Sequence, residues 1–251
     1  MRTSNPALSE KTFRDLPAAA ERMTLEGTVN KSFALIGLLL MTAIWSWQNA
    51  VTDNPLSPLG KEVIIPSWYL PLIFASFVIG IVIIFAKKTS PFLAPAYALG
   101  EGLMLGTLSA YFELLYPGIV LQAVLLTAGV FLTLLLAYRT KFIRATENFK
   151  LGVVAATGGI AILYLIDLGL HFWGGRQVPF IHETGLYGIL FSLFVVVIAA
   201  LNLVLDFDFI EKGAEQGAPK YMEWYASFGL LVTLVWLYLE ILRLLAKTRK
   251  K

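Results

Sequence analysis

The chain has 251 residues, of which 57% are hydrophobic and only 15% are charged. A soluble domain would carry about 25% charged residues, so the composition indicates an integral membrane protein. The net charge of +3 comes from basic residues in tails and short loops, which indicates membrane topology and not a nucleic-acid-binding surface. The absence of cysteine excludes disulfides and thiolate metal sites.

A polar segment, residues 1–31, comes first. It contains Pro6 and Pro17 and no short apolar region before a cleavage site, so we expect a cytoplasmic tail and no signal peptide. A membrane domain over 32–246 follows, and a basic tail over 247–251 comes last.

Within the membrane domain we predict seven transmembrane helices. Each apolar stretch is close to the roughly 20 residues that a helix needs to cross the hydrocarbon core. The stretches cover 32–50, 67–86, 92–115, 118–138, 150–170, 186–208 and 224–246. They are too long for barrel strands, and backbone groups in lipid must be hydrogen-bonded internally, so the predicted fold class is all-α. The third and fourth stretches meet at Pro117 and Gly118, where a hairpin or a kinked segment is the alternative.

Basic residues predict the orientation. Thirteen lie in the N-tail and alternate loops: Arg2, Lys11, Arg14, Arg22, Lys31, Lys87, Lys88, Arg139, Lys141, Arg144, Lys150, Lys212 and Lys220. The opposite side holds only Lys61 and Arg176, so we expect a cytoplasmic N-terminus. Seven crossings then place the basic tail 247–251 outside, against this rule. We predict a true last crossing, with a re-entrant last segment as the alternative.

Small residues predict close helix packing. Gly102 and Gly106 form a Gly-xxx-Gly step in the third stretch, and Gly152, Gly158 and Gly159 give the fifth a small face. Such residues let helix backbones approach each other, which fits tight packing or the thin wall of a narrow path.

Six carboxylates lie inside the apolar stretches: Glu101, Glu113, Asp167, Asp206, Asp208 and Glu240. A charge at mid-bilayer costs at least ~2.5–3.5 kcal/mol, so such residues usually belong to an ion path, a proton relay or a structural pair. Burial also disfavours the charged form of a carboxylate, which gives these groups a means of responding to pH.

Asp206 and Asp208 end the sixth stretch. Two residues on a helix are about 200° apart, so both cannot face one small cavity. Either at least one belongs to an ion or proton site, or both are solvated at the cytoplasmic end near Lys212. If a metal ion binds, these two are the candidate ligands.

The other four carboxylates are predicted to have three kinds of environment. Glu240 shares a helix face with Arg243 three residues later, which predicts a structural ion pair. Glu101, between two glycines, is predicted to be buried and inward-facing. Glu113 and Asp167 lie near the ends of their stretches and are interpreted as interfacial.

Patterns for enzymatic chemistry are absent from the sequence. It has no Walker loop and no His-Glu-x-x-His, and its two histidines, His171 and His182, have no third ligand nearby. We therefore predict a protein that is not an enzyme and has no cofactor.

Four stretches carry a family resemblance. They are Met-Thr-Leu-Glu-Gly-Thr-Val-Asn-Lys at 23–31, Ala-Leu-Gly-Glu-Gly-Leu-Met-Leu-Gly-Thr-Leu-Ser-Ala-Tyr-Phe-Glu at 98–113, Leu-Asn-Leu-Val-Leu-Asp-Phe-Asp-Phe-Ile-Glu-Lys at 201–212, and the last span, 224–246. In this order the chain resembles the transmembrane Bax inhibitor motif family, in its bacterial, YccA-like branch. The resemblance implies a bacterial inner-membrane protein whose last helix is surrounded by the other six.

The resemblance also implies a function. Members are associated with calcium leak and some with restraint of cell death, and the leak is linked to a pH-responsive pair of aspartates on the sixth and seventh helices. The first maps to Asp206 or Asp208. The second falls near Thr233, which cannot ionise, so a variant gate would combine one of these aspartates with Glu101 or Glu240.

Two hypotheses follow. The first is a pH-sensitive cation or proton leak path, with Ca²⁺ as the transported ion and the lipid bilayer as the main partner; hard cations favour carboxylate and carbonyl oxygens. The second is a non-conducting regulator that binds and restrains other membrane proteins, such as a membrane-bound protease. The first needs carboxylates that face a hydrated interior, whereas the second needs none.

Overall fold

The structure is a computed structural model that describes residues 21–57, 60–175 and 178–249. Several basic residues of the tails and loops lie outside the described residues: Arg2, Lys11, Arg14, Arg176, Lys250 and Lys251.

Seven long helices make up most of the described chain and correspond to the seven apolar stretches. They are α1 Leu25–Ala50, α2 Tyr69–Phe85, α3 Ser90–Leu115, α4 Ile119–Arg139, α5 Glu147–Gly174, α6 Leu186–Glu215 and α7 Met222–Arg249. This confirms an all-α membrane protein. The connections include two short antiparallel strands, β1 Val51–Asp53 and β2 Lys61–Val63, a 3₁₀ turn at Lys87–Thr89, and a one-turn helix at Pro179–His182.

The first helix begins earlier than the apolar pattern predicts. The Thr24 side chain accepts a hydrogen bond from the Gly27 N–H, and Glu26 lies in the first turn, where a negative charge suits the helix dipole. Residues 25–31, predicted as part of a polar tail, therefore form the first turns of α1.

By length and composition, fewer than seven of these helices can each cross a membrane alone. Among the described residues, α1, α4, α5, α6 and α7 are each long and apolar enough to cross a membrane. The helices α2 and α3 are long and apolar enough only when they are taken together, and their axes are bent by 118° at the break between them. These properties therefore support five crossings, and a sixth if the bent pair spans the membrane once.

The chain divides into two compact units. The first, here called the N-terminal unit, contains the described residues of 21–120 and 210–231. The second, the C-terminal unit, contains those of 121–209 and 232–249. Both α6 and α7 run through a unit boundary, so each contributes one end to each unit.

Close contact between α1 and α3 defines the N-terminal unit. A Cβ atom at Gly102 would overlap the Leu39 carbonyl oxygen, and one at Gly106 would overlap the Ala43 carbonyl oxygen. The gap is narrow enough that Ser46 Oγ donates to the Leu103 carbonyl at 2.8 Å. The Gly-xxx-Gly step is therefore a packing site, as its spacing predicts. By contrast, a Cβ at Gly152, Gly158 or Gly159 of α5 would meet no described atom within 4 Å.

The core of the C-terminal unit is built around α6. Ile160 of α5 packs with Val195 and Ile198 of α6, and Trp236 of α7 packs against them. In the apolar segments of α6 and α7, 50% and 56% is buried, compared with 11% in those of α4 and α5. The last two helices are therefore the most buried of the candidate spans.

Candidate functional site

Three consecutive residues of α6 contact three different helices of the C-terminal unit. Asp206 accepts a hydrogen bond from the Thr233 hydroxyl on α7. Phe207 packs against Phe131 on α4, with ring centroids 5.7 Å apart, and Asp208 forms an ion pair with Lys150 on α5. Successive helical residues point about 100° apart, which explains how one turn of α6 meets three neighbours.

Asp206 is the most isolated carboxylate of this unit. It is 2% exposed, and its Oδ2 atom has no hydrogen-bond partner in the described structure. A buried, ionised carboxylate without a counter-charge costs several kcal/mol. The site therefore suits either a neutral carboxylic acid or a carboxylate with a bound cation.

Asp208 has a different environment. Its Oδ2 lies 2.9 Å from the Lys150 ammonium group, and both side chains are buried. One interpretation of the sequence predicts that Asp208 is solvated near Lys212, but the carboxylate is buried. Its counter-charge is Lys150, 58 positions earlier in the chain. Asp206 and Asp208 contact different helices, and no group of three or more His, Asp or Glu among the described residues is arranged to hold a metal ion.

Glu240 lies in a three-residue network. Arg243 Nη1 donates to both of its carboxylate oxygens, at 3.0 and 3.1 Å, and the Tyr164 hydroxyl donates to Oε1 at 3.0 Å. Arg243 also donates to the Tyr164 oxygen at 2.6 Å. The sequence indicates the Glu240–Arg243 pair through its spacing, whereas Tyr164 comes from α5 and carries no local signal.

Polar side chains recur along one face of α7. Thr233, Glu240 and Lys247 follow one another at seven-residue intervals, about two turns or 10.5 Å each. Lys247 is buried and donates to the carbonyls of Ile181 and Gly188, at 2.7 and 3.0 Å. The prediction of a basic tail from 247 is therefore wrong at this residue, because α7 continues to Arg249 and three acceptors, Ser192 Oγ included, hold the ammonium group inside.

A further contact joins α5 to α6, one turn before Asp206. Asn202 Nδ2 donates to Thr157 Oγ1 and to the Ile198 carbonyl, each at 2.8 Å. Asn202 lies one turn before Asp206 on α6, and the sequence carries no local signal for its contact with Thr157.

The remaining predicted carboxylates have local roles. Glu101, in the N-terminal unit, is half-buried instead of fully buried and hydrogen-bonds Tyr97 one turn earlier. Glu113 accepts from the backbone N–H groups of Gly118 and Val120 and so caps the start of α4. Asp167 accepts from the Val178 N–H at 2.7 Å and pairs with His182 at 2.7 Å, which fixes the loop after α5.

Sequence reasoning missed a second buried charge cluster, in the N-terminal unit. Glu223, in the first turn of α7, is 0% exposed and lies 2.6 Å from Lys31 Nζ and 3.1 Å from Lys220 Nζ. It also accepts from the Thr24 N–H and hydroxyl, at 2.9 and 3.0 Å. We call Glu223, Lys31, Lys220 and Thr24 the Glu223 cluster.

This cluster explains the stretch at 23–31. Thr24, Gly27 and Lys31 occupy one face of α1, and a Cβ at Gly27 would overlap the Glu223 carboxylate. Backbone bonds from the Met23 N–H to Ala218 and from the Lys220 N–H to Glu21 join the same two segments. The start of α1 is therefore fixed to the start of α7 by charge, backbone pairing and close approach.

Comparison with known proteins identifies a family. A family model described as Bax inhibitor 1 like matches residues 5–250. No curated protein and no solved structure matches the chain.

Proposed function

The chain belongs to the Bax inhibitor 1 like family, and on that premise we propose that it is a pH-sensitive cation leak path in a bacterial inner membrane, with Ca²⁺ as the transported ion. The proposal gives the protein no enzymatic role. It makes Asp206 the controlling group, with Thr233 as its partner.

The observation that carries this proposal is the environment of Asp206. Its carboxylate is buried within a 30-residue apolar helix, with one oxygen bonded to Thr233 and the other without a hydrogen-bond partner in the described structure. A carboxylate in such a place is stabilised by a proton or by a cation, and the two compete for the same oxygens. Hard cations such as Ca²⁺ prefer oxygen ligands such as carboxylates, so the competition at Asp206 supports a pH-dependent passage of ions.

We also propose that the last helix lies at the centre of a seven-helix bundle. Two facts support this arrangement: α7 has the largest buried share among the candidate spans, and it carries the polar face of Thr233, Glu240 and Lys247. A polar face is costly in lipid, so it belongs among other helices.

The contacts at the two ends of α7 support a full crossing by this helix. Its first turn lies against Thr24 at the start of α1, and its last turn lies against Ile181 in the loop after α5. Its 28 residues extend about 42 Å, more than the ~30 Å of the hydrocarbon core. Together with the bias of basic residues, these contacts support a cytoplasmic N-terminus and an external C-terminus.

Reporter fusions test this topology. We expect a reporter at the N-terminus to score as cytoplasmic and one after residue 251 to score as external. A fusion within the loop at residues 140–145, which is rich in basic residues, serves as a cytoplasmic control. A cytoplasmic C-terminus would refute seven crossings, because either α7 would not cross or α2 and α3 would span the membrane once as a pair.

Ion flux tests the leak itself. Liposomes that contain only the purified protein and an internal calcium indicator should take up Ca²⁺ faster than protein-free liposomes of the same lipid. Uptake should respond to external pH, because protons and Ca²⁺ compete at Asp206. Equal uptake with and without protein would refute the leak and leave the non-conducting regulator as the better hypothesis.

A further inference from the structure

A cavity of about 410 Å³ lies in the C-terminal unit, between α5, the last turns of α7 and the one-turn helix at Pro179–His182. This volume is typical of ligand pockets, which measure about 300–1,000 Å³. Polar and apolar side chains both line it, among them Tyr164, Asp167, Leu168, His171, Ile181 and Arg243. The hydrogen-bonding state of the polar groups indicates which kind of ligand fits.

The carboxylates at this cavity already have partners on every oxygen. Asp167 accepts from the Val178 N–H through one oxygen and contacts the His182 ring through the other, each at 2.7 Å. Both oxygens of Glu240, which is 2% exposed behind Arg243, accept from that guanidinium group. A metal ion would have to displace these bonds, so the cavity is a poor cation site.

The hydrogen-bond donors, by contrast, are only partly used. Arg243 makes all of its described hydrogen bonds through Nη1, and the edge formed by Nε and Nη2 contacts no described acceptor, although the side chain is 41% exposed. Parallel N–H groups on one edge of a guanidinium match the oxygens of a phosphate or carboxylate. His171 is exposed and has no hydrogen bond to a described residue, and even a neutral imidazole carries one N–H.

The charges near the cavity also favour an anion. Each of the two carboxylates has a basic side chain beside it. Lys247, one turn after Arg243, has no carboxylate among its described partners and donates instead to three neutral oxygens, one of which is the Ile181 carbonyl. Ile181 also lines the cavity, so the ammonium group of Lys247 lies behind the cavity wall. Its attraction for an anion is stronger in such a partly buried place than in water.

Apolar side chains on α5 continue from the cavity onto the outer surface of the helix. Leu168, which lines the cavity, is 51% exposed, and Phe172, next to His171 in the chain, is 78% exposed. Exposed apolar side chains on a spanning helix face lipid. The headgroup of a phospholipid whose acyl chains lie along this face is therefore within reach of Arg243.

We propose that this cavity binds a phosphate group, with the Nε–Nη2 edge of Arg243 and the His171 ring as donors. The phosphate belongs to an anionic phospholipid headgroup or is a free phosphate ion, since both present the same oxygens. The Glu240 carboxylate orients the guanidinium group but also opposes an anion, so we expect a dissociation constant on the order of 1 mM for free phosphate. The inference is independent of the proposed leak, because it uses neither Asp206 nor Thr233.

A titration of inorganic phosphate, followed by the ³¹P NMR line width in a maltoside detergent, tests the site. Arg243→Lys keeps a counter-charge for Glu240 but lacks the fork, and should weaken binding about tenfold. Glu240→Gln removes the opposing charge and should strengthen binding about tenfold. Lys61→Met, which removes an exposed lysine from the β2 strand, is the control and should leave the affinity unchanged.

Native mass spectrometry of the same proteins tests the lipid source. Phosphatidylglycerol should remain bound to the wild-type protein and be lost from Arg243→Lys, whereas diacylglycerol, which lacks the phosphate, should bind neither protein selectively. Retention of the lipid without broadening of the phosphate signal would assign the site to a headgroup, and the reverse result would assign it to the free ion.

The two substitutions shift the affinity in opposite directions, which separates binding from damage to the fold, because local unfolding would weaken binding in both variants. Equal binding by the wild-type protein and Arg243→Lys in both measurements, or no binding in either, would overturn the proposal. A protein that binds phosphate at Arg243 but takes up no Ca²⁺ in liposomes would support this site and refute the leak.

Discussion

Glu223→Ala is expected to lower the free energy of unfolding by about 3 kcal/mol, because it leaves Lys31 without its buried counter-charge and removes an acceptor from the Thr24 N–H. Removal of one partner of a buried ion pair costs about 3–5 kcal/mol. The lower end applies here, since the Lys31 side chain keeps 21% of its surface exposed and can regain some hydration.

Thermal unfolding in detergent measures this loss. Glu223→Gln should cost less than Glu223→Ala, since the amide oxygen can still accept from Thr24 although the charge is lost. Glu26→Ala is the matched control, because Glu26 is an exposed acid in the first turn of α1 and its removal should change stability by about 0.5 kcal/mol or less. Similar melting temperatures for Glu223→Ala and Glu26→Ala would show that the Glu223 cluster does not stabilise the fold.

The same cluster can be disturbed without any change of charge. Gly27→Ala places a methyl group on the Glu223 carboxylate and should lower the melting temperature in the same direction. Gly37→Ala, ten residues later on α1, meets no described atom within 4 Å and should be neutral or stabilising by up to about 1 kcal/mol, because alanine favours a helix more than glycine does.

The sequence predicts the helices well because the bilayer imposes a simple rule. Seven apolar stretches correspond to seven helices, since the backbone groups of an apolar segment must be hydrogen-bonded internally. The rule fails at helix ends that leave the apolar region. Thr24 caps α1 in a polar segment, and the polar residues that follow it are there because they face Glu223.

The sequence also does not specify how many helices cross. Each of α2 and α3 follows the apolar pattern, yet the two meet at 118°, and a hydropathy pattern contains no information about that angle. Gly102 and Gly106 predict the packing of α3 more reliably, because the absence of a side chain lets the α1 backbone approach α3 closely.

Partners of buried charges are the least predictable feature. The Glu240–Arg243 pair is separated by one turn and follows from helix geometry. Lys150 and Asp208 lie 58 positions apart, and their pairing depends on how α5 packs on α6. The spacing of the family resemblance placed Thr233 where an ionisable partner is expected, and the structure brings Thr233 into contact with Asp206.

The contact between Thr233 and Asp206 leads to the largest functional effect that we expect. Asp206→Asn should flatten the pH dependence of Ca²⁺ uptake, whatever its effect on the absolute rate. The amide has the shape of the acid and keeps an acceptor for Thr233, but it neither gains nor loses a proton. A single controlling proton can change uptake by at most about tenfold per pH unit, and the variant should lose most of that response.

Asp208→Asn is the matched control, two residues away on the same helix. Asp208 already has Lys150 as its counter-charge, and the buried carboxylate of Glu240 has Arg243, so neither needs a proton or a metal ion for neutrality. Asp208→Asn should therefore leave the shape of the pH profile unchanged. If Asp206→Asn and the double variant with Asp208→Asn both keep the wild-type profile, then proton binding at α6 does not control the leak. The response would then have to come from ionisable groups elsewhere, such as the half-buried Glu101 in the N-terminal unit.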